Sequence, residues 1–424
     1  MDALTGPLSF QQEDVLRKAR KHPASAPGYD YCFLFRLEGA VDVGHLRSAL
    51  EELLCRHPVL RTRIARAGTD YVQSISAVEG FIETDGGGAV TESGMVQELI
   101  AQRHDLDKIL KGEALLRATI HTAPQVYLSL TINHLIYDGW SLMLLWRDLA
   151  ELYAARIEHR APDLPQVRAT YLEFAEKQRT SWEQRKESAT EFLAKAVEGY
   201  QDTIAWPASG EINTASEPEL SLLSFDVPPS LTSRIREVSR AARVSPFTVL
   251  LSATALAVAR VTGKRDLMMG TDTFNRDEET WESVGHFVNT RITRVGIDPT
   301  RPLIEAVQLI RASWMAADDY GDVFSEKVLA DIGAPFPLMV NMPSLAQSSG
   351  NMEVLRLKNI AVESVPVPVK NSTWRDFYAT WFHDKNGYRG VLSHRTARVD
   401  NATARMIFEE IESGLADPFG DASV

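Results

Sequence analysis

Leu130-Thr-Ile-Asn-His-Leu-Ile-Tyr-Asp-Gly-Trp-Ser-Leu142 is the stretch that decides how the rest of the chain is read. Tyr127-Leu-Ser-Leu-Thr-Ile132 leads into it with β-type residues, and Leu142-Met-Leu-Leu-Trp-Arg-Asp-Leu-Ala-Glu-Leu-Tyr153 leaves it with the apolar spacing of an amphipathic helix. The stretch is therefore a strand-to-helix turn. It places the imidazole of His134 at a strand end and the Asp138-Gly139 pair at a helix start. A histidine that moves protons needs a rigid, half-open perch of this kind. The same residue types also admit a plainer reading, in which His134 is a structural histidine, Asp138 a helix cap and Gly139 a turn residue.

Working outward, strand and helix patterns alternate through the first half. Tyr31–Leu37 reads as a strand, and 43–55 as a helix with Leu46, Leu50, Leu53 and Leu54 on one face. Strands are predicted over 115–120 and 126–132, placed so that they could pair. The Gly86-Gly87-Gly88 run within 84–91 reads as a loop; without a following Lys-Ser/Thr it is poor evidence for phosphate binding. A charged helical stretch runs over 181–203, and 207–218, rich in Ser, Glu, Gly and Thr, is the best linker candidate.

The alternation then restarts. A strand is predicted over 222–227 and a helix over 230–242. Pro246 sits where a first-turn proline belongs, ahead of a strongly apolar helix over 247–261. A buried-type strand follows over 266–271 and a helix over 301–317. Residues 362–369 alternate, but Pro366 and Pro368 place them at a sheet edge or outside the ladder. Strands over 374–383 and 387–392 and a helix over 403–415 complete the pattern.

Composition bounds the answer. At 424 residues, 44% hydrophobic and 24% charged, the chain is an ordinary globular one, too long for a single core. A net charge of −12 argues against nucleic acid or an anionic membrane as partner. The two cysteines, Cys32 and Cys55, make no disulfide framework and are expected as small core residues. With no secretory pattern at the N-terminus and no long apolar run, a cytoplasmic location is expected. No His-Glu-x-x-His, Cys-x-x-Cys pair or Gly-x-Ser-x-Gly elbow is present, so neither a metal site nor a serine hydrolase is expected.

Asn133-His-Leu-Ile-Tyr-Asp-Gly-Trp-Ser141 resembles the His-His-x-x-x-Asp-Gly signature of the condensation domains of nonribosomal peptide synthetases, with Asn133 in place of the first histidine. Four further stretches carry the resemblance in the same order. They are Pro7-Leu-Ser-Phe-Gln-Gln12, Arg56-His-Pro-Val-Leu-Arg-Thr-Arg63, Tyr171-Leu-Glu-Phe-Ala175 and Val284-Gly-His-Phe-Val-Asn-Thr290. Two later motifs, near 319–324 and 335–341, are eroded. The plant-type Asp-Phe-Gly-Trp-Gly and the heterocyclising Asp-x-x-x-x-Asp signatures are absent.

The resemblance implies an α/β fold of two chloramphenicol-acetyltransferase-like lobes. They would form a V-shaped pseudo-dimer with a tunnel between them. The expected division is 1–180 for the lobe carrying the motif, 181–219 for a connecting helix and linker, and 220–424 for the second lobe. It also implies acyl transfer from the phosphopantetheine thioester of an acyl or peptidyl carrier protein to an amine, forming an amide in natural-product or antibiotic biosynthesis. The acceptor would be a small-molecule amine or a second carrier-bound group. No cofactor bound by the chain itself, no nucleic acid, no membrane and a monomer are expected. With no adenylation or carrier segment recognised, the chain reads as free-standing or as excised from a larger synthetase. An ester-forming or CoA-dependent acyltransferase on the same fold, and a non-catalytic carrier-docking module, are the rival readings.

In this resemblance His134 is the catalytic residue. It accepts the amine's proton or positions the amine. Asp138 pairs with an arginine, matched by Arg61, and holds the motif loop. Asn133 takes over a structural role, since an amide both donates and accepts hydrogen bonds. The N–H groups of Gly139 and Trp140, at a helix start, are candidates for stabilising the oxyanion. Trp140, Ser141, His286 and Asn289 are candidate tunnel-lining residues; Asn289 is expected to hold a crossing loop, and His286 to be incidental.

Overall fold

A computed structural model describes residues 4–68, 70–85, 91–122, 125–201, 204–207, 220–316, 320, 323–331, 336, 338–342, 355–368, 375–385 and 387–420. In chain order the elements are β1 (Leu4–Pro7), α1 (Phe10–Lys21), β2 (Asp30–Glu38), α2 (Val43–Arg56), β3 (Thr62–Ala67), β4 (Asp70–Ile75), β5 (Ile82–Asp85), α3 (Glu92–Gln102), α4 (Leu106–Leu110), β6 (Leu116–His121), β7 (Val126–Asn133), α5 (Gly139–Ile157) and α6 (Tyr171–Val197). There follow β8 (Leu220–Asp226), α7 (Pro229–Ala242), α8 (Pro246–Thr262), β9 (Asp266–Thr273), β10 (Asn289–Gly296), α9 (Leu303–Ala316), α10 (Ser325–Asp331), β11 (Leu338–Asn341), β12 (Ala361–Val365), β13 (Phe377–Asp384), β14 (Gly387–Arg395) and α11 (Asn401–Ala416). The Gly86–Gly88 run lies outside the described residues, as do 208–219 of the expected linker and parts of the two eroded motifs.

Two compact units result. The first gathers 1–184, 274–288 and 350–371, and the second 185–273, 289–349 and 372–424. The expected division at 181–219 therefore misses two segments, 274–288 and 350–371, which the sequence pattern had left with the second lobe. Each has a physical anchor in the first unit. β12 pairs antiparallel with β2 at a sheet edge, Val362 opposite Leu37, and its strand ends before Pro366 and Pro368. Residues 274–288 are tied by hydrogen bonds to the start of α5, described below.

In the first unit, five strands run in the order β12-β2-β7-β6-β5, beside a three-stranded sheet β1-β4-β3. β7 is the middle strand and is buried on both faces from Tyr127 to Asn133, which is why its sequence is a nearly continuous apolar run. β6 pairs with it antiparallel, as the adjacent strand patterns suggested. α2 and α5 pack over the sheet: Leu46, Leu50, Leu53 and Leu54 join Phe33, Phe35 and Trp146 in one core. Cys32 is half-buried and Cys55 is exposed, which corrects the expectation of two core cysteines. On α2 the buried stripe is Leu46, Ala49, Leu50, Leu53 and Leu54, and one residue further turns Cys55 away from it.

In the second unit, six strands run in the order β10-β9-β11-β13-β14-β8, with β11 parallel to both neighbours and the other pairs antiparallel. α8 is buried from Thr248 to Ala259. That follows from a helix apolar all round, which has no face to offer water. Its ends are set by Ser245, whose hydroxyl accepts the Thr248 N–H at 3.1 Å, by Pro246 at the first helical position, and by Gly263 at φ +71°. Among the described residues no single helix is long and apolar enough to cross a membrane.

Candidate active site

The site begins where β7 ends. The Asn133 side chain donates to Asp30 Oδ1 at 2.7 Å and accepts the Leu135 N–H at 3.1 Å. Its own N–H donates to the Leu115 carbonyl at 2.9 Å, and its carbonyl accepts the Ile136 N–H at 3.0 Å. Asp30 in turn lies 2.9 Å from His104 Nδ1, and all three residues are buried. Asn133 thus closes the turn from which the next residue projects, and it uses both the donor and the acceptor of its amide to do so.

That next residue is His134. Its backbone N–H donates to the Tyr29 carbonyl at 2.8 Å. Its half-buried ring has two ring neighbours: Tyr137, stacked at 4.9 Å and 25°, and His286, at 4.5 Å and 51°. Nδ1 is buried. Burial pulls the His134 pKa below the ordinary histidine value; nearby backbone and the Asp138 carboxylate pull the other way without overcoming it, and Lys18 adds to the lowering. The ring is therefore neutral near pH 7, the form that can accept a proton.

Asp138 caps α5. Its Oδ1 accepts the Ser141 N–H at 2.9 Å, and its Oδ2 accepts the Phe287 N–H at 3.0 Å. Its charge is met by Arg276, whose Nη2 lies 2.9 and 3.1 Å from the two carboxylate oxygens. Both side chains are buried. This corrects the expected Asp138–Arg61 pair. Arg61 ends a short 3₁₀ turn, Pro58–Arg61, and its guanidinium is used locally, on the carbonyls of Leu54 (3.0 Å) and Ser76. Arg276 lies over the Phe287 ring at 4.0 Å, and it also donates to the Thr280 and Ser283 carbonyls. Burial lowers its pKa, and Asp138 opposes that lowering.

The segment carrying Arg276 is bolted to the start of α5. The Ser141 hydroxyl lies 2.8 Å from both Asp138 Oδ1 and the Gly285 carbonyl, and it accepts the Gly285 N–H at 3.0 Å. Tyr171 runs beneath: its hydroxyl donates to the His286 carbonyl at 2.8 Å and lies 2.7 Å from Ser9 Oγ. Gly285 is required here, because a Cβ would sit 2.1 Å from the Tyr171 ring.

Several expected placements change. Ser141 is fully buried and cannot line an open passage; its hydroxyl joins two chain segments instead. Asn289, expected to line it too, is also buried. In the second unit it holds a loop, donating to the Val323 carbonyl at 2.8 Å and accepting the Thr290 N–H at 2.8 Å. His286 is not incidental, since it is a ring neighbour of His134. Trp140 is half-buried, packs edge-on against Phe274 and Trp281, and donates its indole N–H to the Trp281 carbonyl at 3.0 Å. Gly139 and Trp140 open α5, where their backbone N–H groups have no partner within the helix, and Asp138 takes the N–H of Ser141 rather than theirs.

The Condensation domain family matches residues 5–335. This chain belongs to the condensation-domain family. Among its relatives are a dimodular nonribosomal peptide synthase of Bacillus subtilis, 27% identical over 97% of this chain, and an N-(5-amino-5-carboxypentanoyl)-L-cysteinyl-D-valine synthase of Amycolatopsis lactamdurans, 30% identical over 97%. The condensation domain described here spans only 18% and 11% of those two proteins. Among solved structures it is similar in fold to the X-domain from teicoplanin biosynthesis, with a TM-score of 0.79 at 20% identity, covering 97% of this chain and 95% of that one. It is likewise similar to the condensation domain of the monacolin K polyketide synthase MokA, with a TM-score of 0.77 at 16% identity, covering 98% of each. The fold is thus the chloramphenicol-acetyltransferase-like α/β fold of condensation domains.

Proposed function

We propose that this condensation domain transfers an acyl or aminoacyl group from the phosphopantetheine thioester of a carrier protein to an amine, forming an amide in nonribosomal peptide or hybrid natural-product assembly. The observation that carries the reading is the placement of His134: an imidazole with Tyr137 and His286 as ring neighbours, on a turn fixed by buried hydrogen bonds. A thioester is already activated. What remains is to orient the amine, remove its extra proton as the C–N bond forms, and stabilise the oxyanion. His134 accepts or directs that proton. The open N–H groups of Gly139 and Trp140 face the requirement of the oxyanion. Asn133, Asp138 and Arg276 hold the frame. The thiol of the carrier arm leaves with the returned proton.

The test is mass spectrometry of products after mixing the protein with acyl-loaded carriers and a panel of amines, supplied free or on a second carrier. His134→Ala is expected to lower the rate by about 10²–10⁴ while leaving carrier binding intact. A variant that turns over within about tenfold of the parent rejects the role of His134. Product from acyl-CoA but from no loaded carrier rejects the carrier-bound donor. Carrier binding with no product from any donor favours a docking module instead.

A further inference from the structure

His286 occupies the middle of Gly285-His286-Phe287, a segment whose backbone is fixed on both sides. The Gly285 amide and carbonyl meet the Ser141 hydroxyl, the His286 carbonyl accepts from Tyr171, and the Phe287 amide donates to Asp138. The ring that leaves this segment ends 4.5 Å, centroid to centroid, from the ring of His134. His134 also stacks on Tyr137, which is itself buried. The imidazole of His134 thus has a second titratable imidazole as a ring neighbour.

We propose that His286 is a positioning residue for the reaction, packing on the His134 ring and, by mutual exclusion of charge, keeping it unprotonated. The inference rests on the reading of His134 as the proton acceptor. Two imidazolium groups at van der Waals distance in a partly enclosed space repel strongly, so the pair takes up its first proton far more readily than its second. On this proposal His134, from which burial already holds charge, is the second of the two to protonate. Asp138 has its charge met by Arg276, Lys18 on α1 acts against protonation of His134, and the Tyr137 and Tyr171 hydroxyls stay neutral because burial raises both. None of these replaces the like-charge effect of a neighbouring imidazole.

The experiment is an NMR titration of the full chain carrying ring-labelled histidine, with His134 and His286 assigned through their own Gln variants. It needs no substrate. In the parent, the His134 signal is expected to titrate in a second, lower-pH step displaced by protonation of His286. In His286→Gln, which keeps a polar side chain but cannot titrate, the His134 midpoint moves to higher pH. In His286→Phe, which keeps the ring, it moves up as well, while the His134 ring signal stays as sharp as in the parent; in His286→Ala that signal broadens as the support is lost. The acid limb of turnover follows the same shift, with the rate near pH 6 falling about tenfold relative to that near pH 8, measured with an alkoxyamine acceptor that stays neutral throughout. A His134 midpoint unchanged in both the Gln and Phe variants overturns the proposal. If the midpoint moves but His134→Ala keeps full activity, the coupling stands and it is the catalytic reading that fails.

Discussion

At the scale of single residues, the buried ion pair carries the most weight. Asp138 and Arg276 are both out of solvent and within 2.9 Å of each other. Removing one partner leaves the other charged in a dry place, at about 3–5 kcal/mol. Arg276→Met is therefore expected to lower stability by that amount, with activity falling because Asp138, which accepts the Phe287 N–H, loses its counter-charge. Arg61→Met costs the hydrogen bonds to Leu54 and Ser76 and nothing at Asp138. Double-mutant cycles read by chemical denaturation separate the two arginines. Asp138→Ala with Arg276→Met should show strong coupling. Asp138→Ala with Arg61→Met should be additive within about 0.5 kcal/mol. The reverse pattern would restore Arg61 as the partner. His134 and Asp138 were legible in the sequence because they lie four residues apart in one motif. Arg276 was not, because the contact spans 138 positions and its flanking acidic run, Asp277-Glu278-Glu279, reads as a solvated loop. The only available hint was a lone arginine at the head of that run. Asn133 shows the opposite case, where a departure from the family pattern could be rationalised from hydrogen-bonding capacity alone and the structure shows both bonds in use.

At the scale of elements, periodicity found α2, α5, α7, α8, α9 and α11 and the strands β2, β6, β7, β8, β9, β13 and β14, and Pro246 marked the start of α8. Periodicity could not say which strand a distant strand joins. β12 reads as an edge strand from its prolines, yet its partner β2 lies more than three hundred positions away, and nothing local encodes that pairing. The loop at Gly285 has the same character. The glycine is required by the Tyr171 ring, which belongs to α6, so the constraint is invisible without the fold. Gly285→Ala is expected to push either the loop or the ring, at about 1–3 kcal/mol for overpacking a tight site. Displacement would break the Tyr171–His286 hydrogen bond and loosen the stack on His134. Thermal melting and turnover should therefore fall together, and Tyr171→Phe, which removes only the hydroxyl, should cost less stability than Gly285→Ala. A Gly285→Ala variant with unchanged melting temperature and rate would show that this close approach is not maintained in solution.

At the scale of the whole molecule, the titration of buried histidines ties stability to pH in both units. His57 and His134 in the first unit and His394 in the second each have a pKa pulled below the ordinary histidine value, burial being the first cause in all three. At His57 the Asp148 carboxylate, 2.9 Å away, opposes the lowering without reversing it. At His394, Nδ1 is matched to the Val399 carbonyl at 2.8 Å, and that bond and one to the Asn401 side chain oppose the lowering without reversing it. Unfolding returns each ring to water and to a pKa of about 6.5. Below that value the unfolded chain binds protons that the folded chain refuses, so stability falls as pH falls. It is fully present above about pH 6.5 and is lost progressively below it. The carboxylates act with the same sign but later. Asp148 and Asp277 are held below the ordinary aspartate value, where hydrogen bonds and nearby cations outweigh the raising effect of burial, so their contribution is lost only below about pH 4. The melting temperature is accordingly expected to be flat from about pH 9 to 7, to decline in a first stage below about 6.5, and to drop again in a second stage below about 4. His394→Gln cannot titrate and should shallow the first stage in exchange for a lower plateau. A melting temperature that stays level down to about pH 5 in the parent would mean that these rings carry none of the linkage.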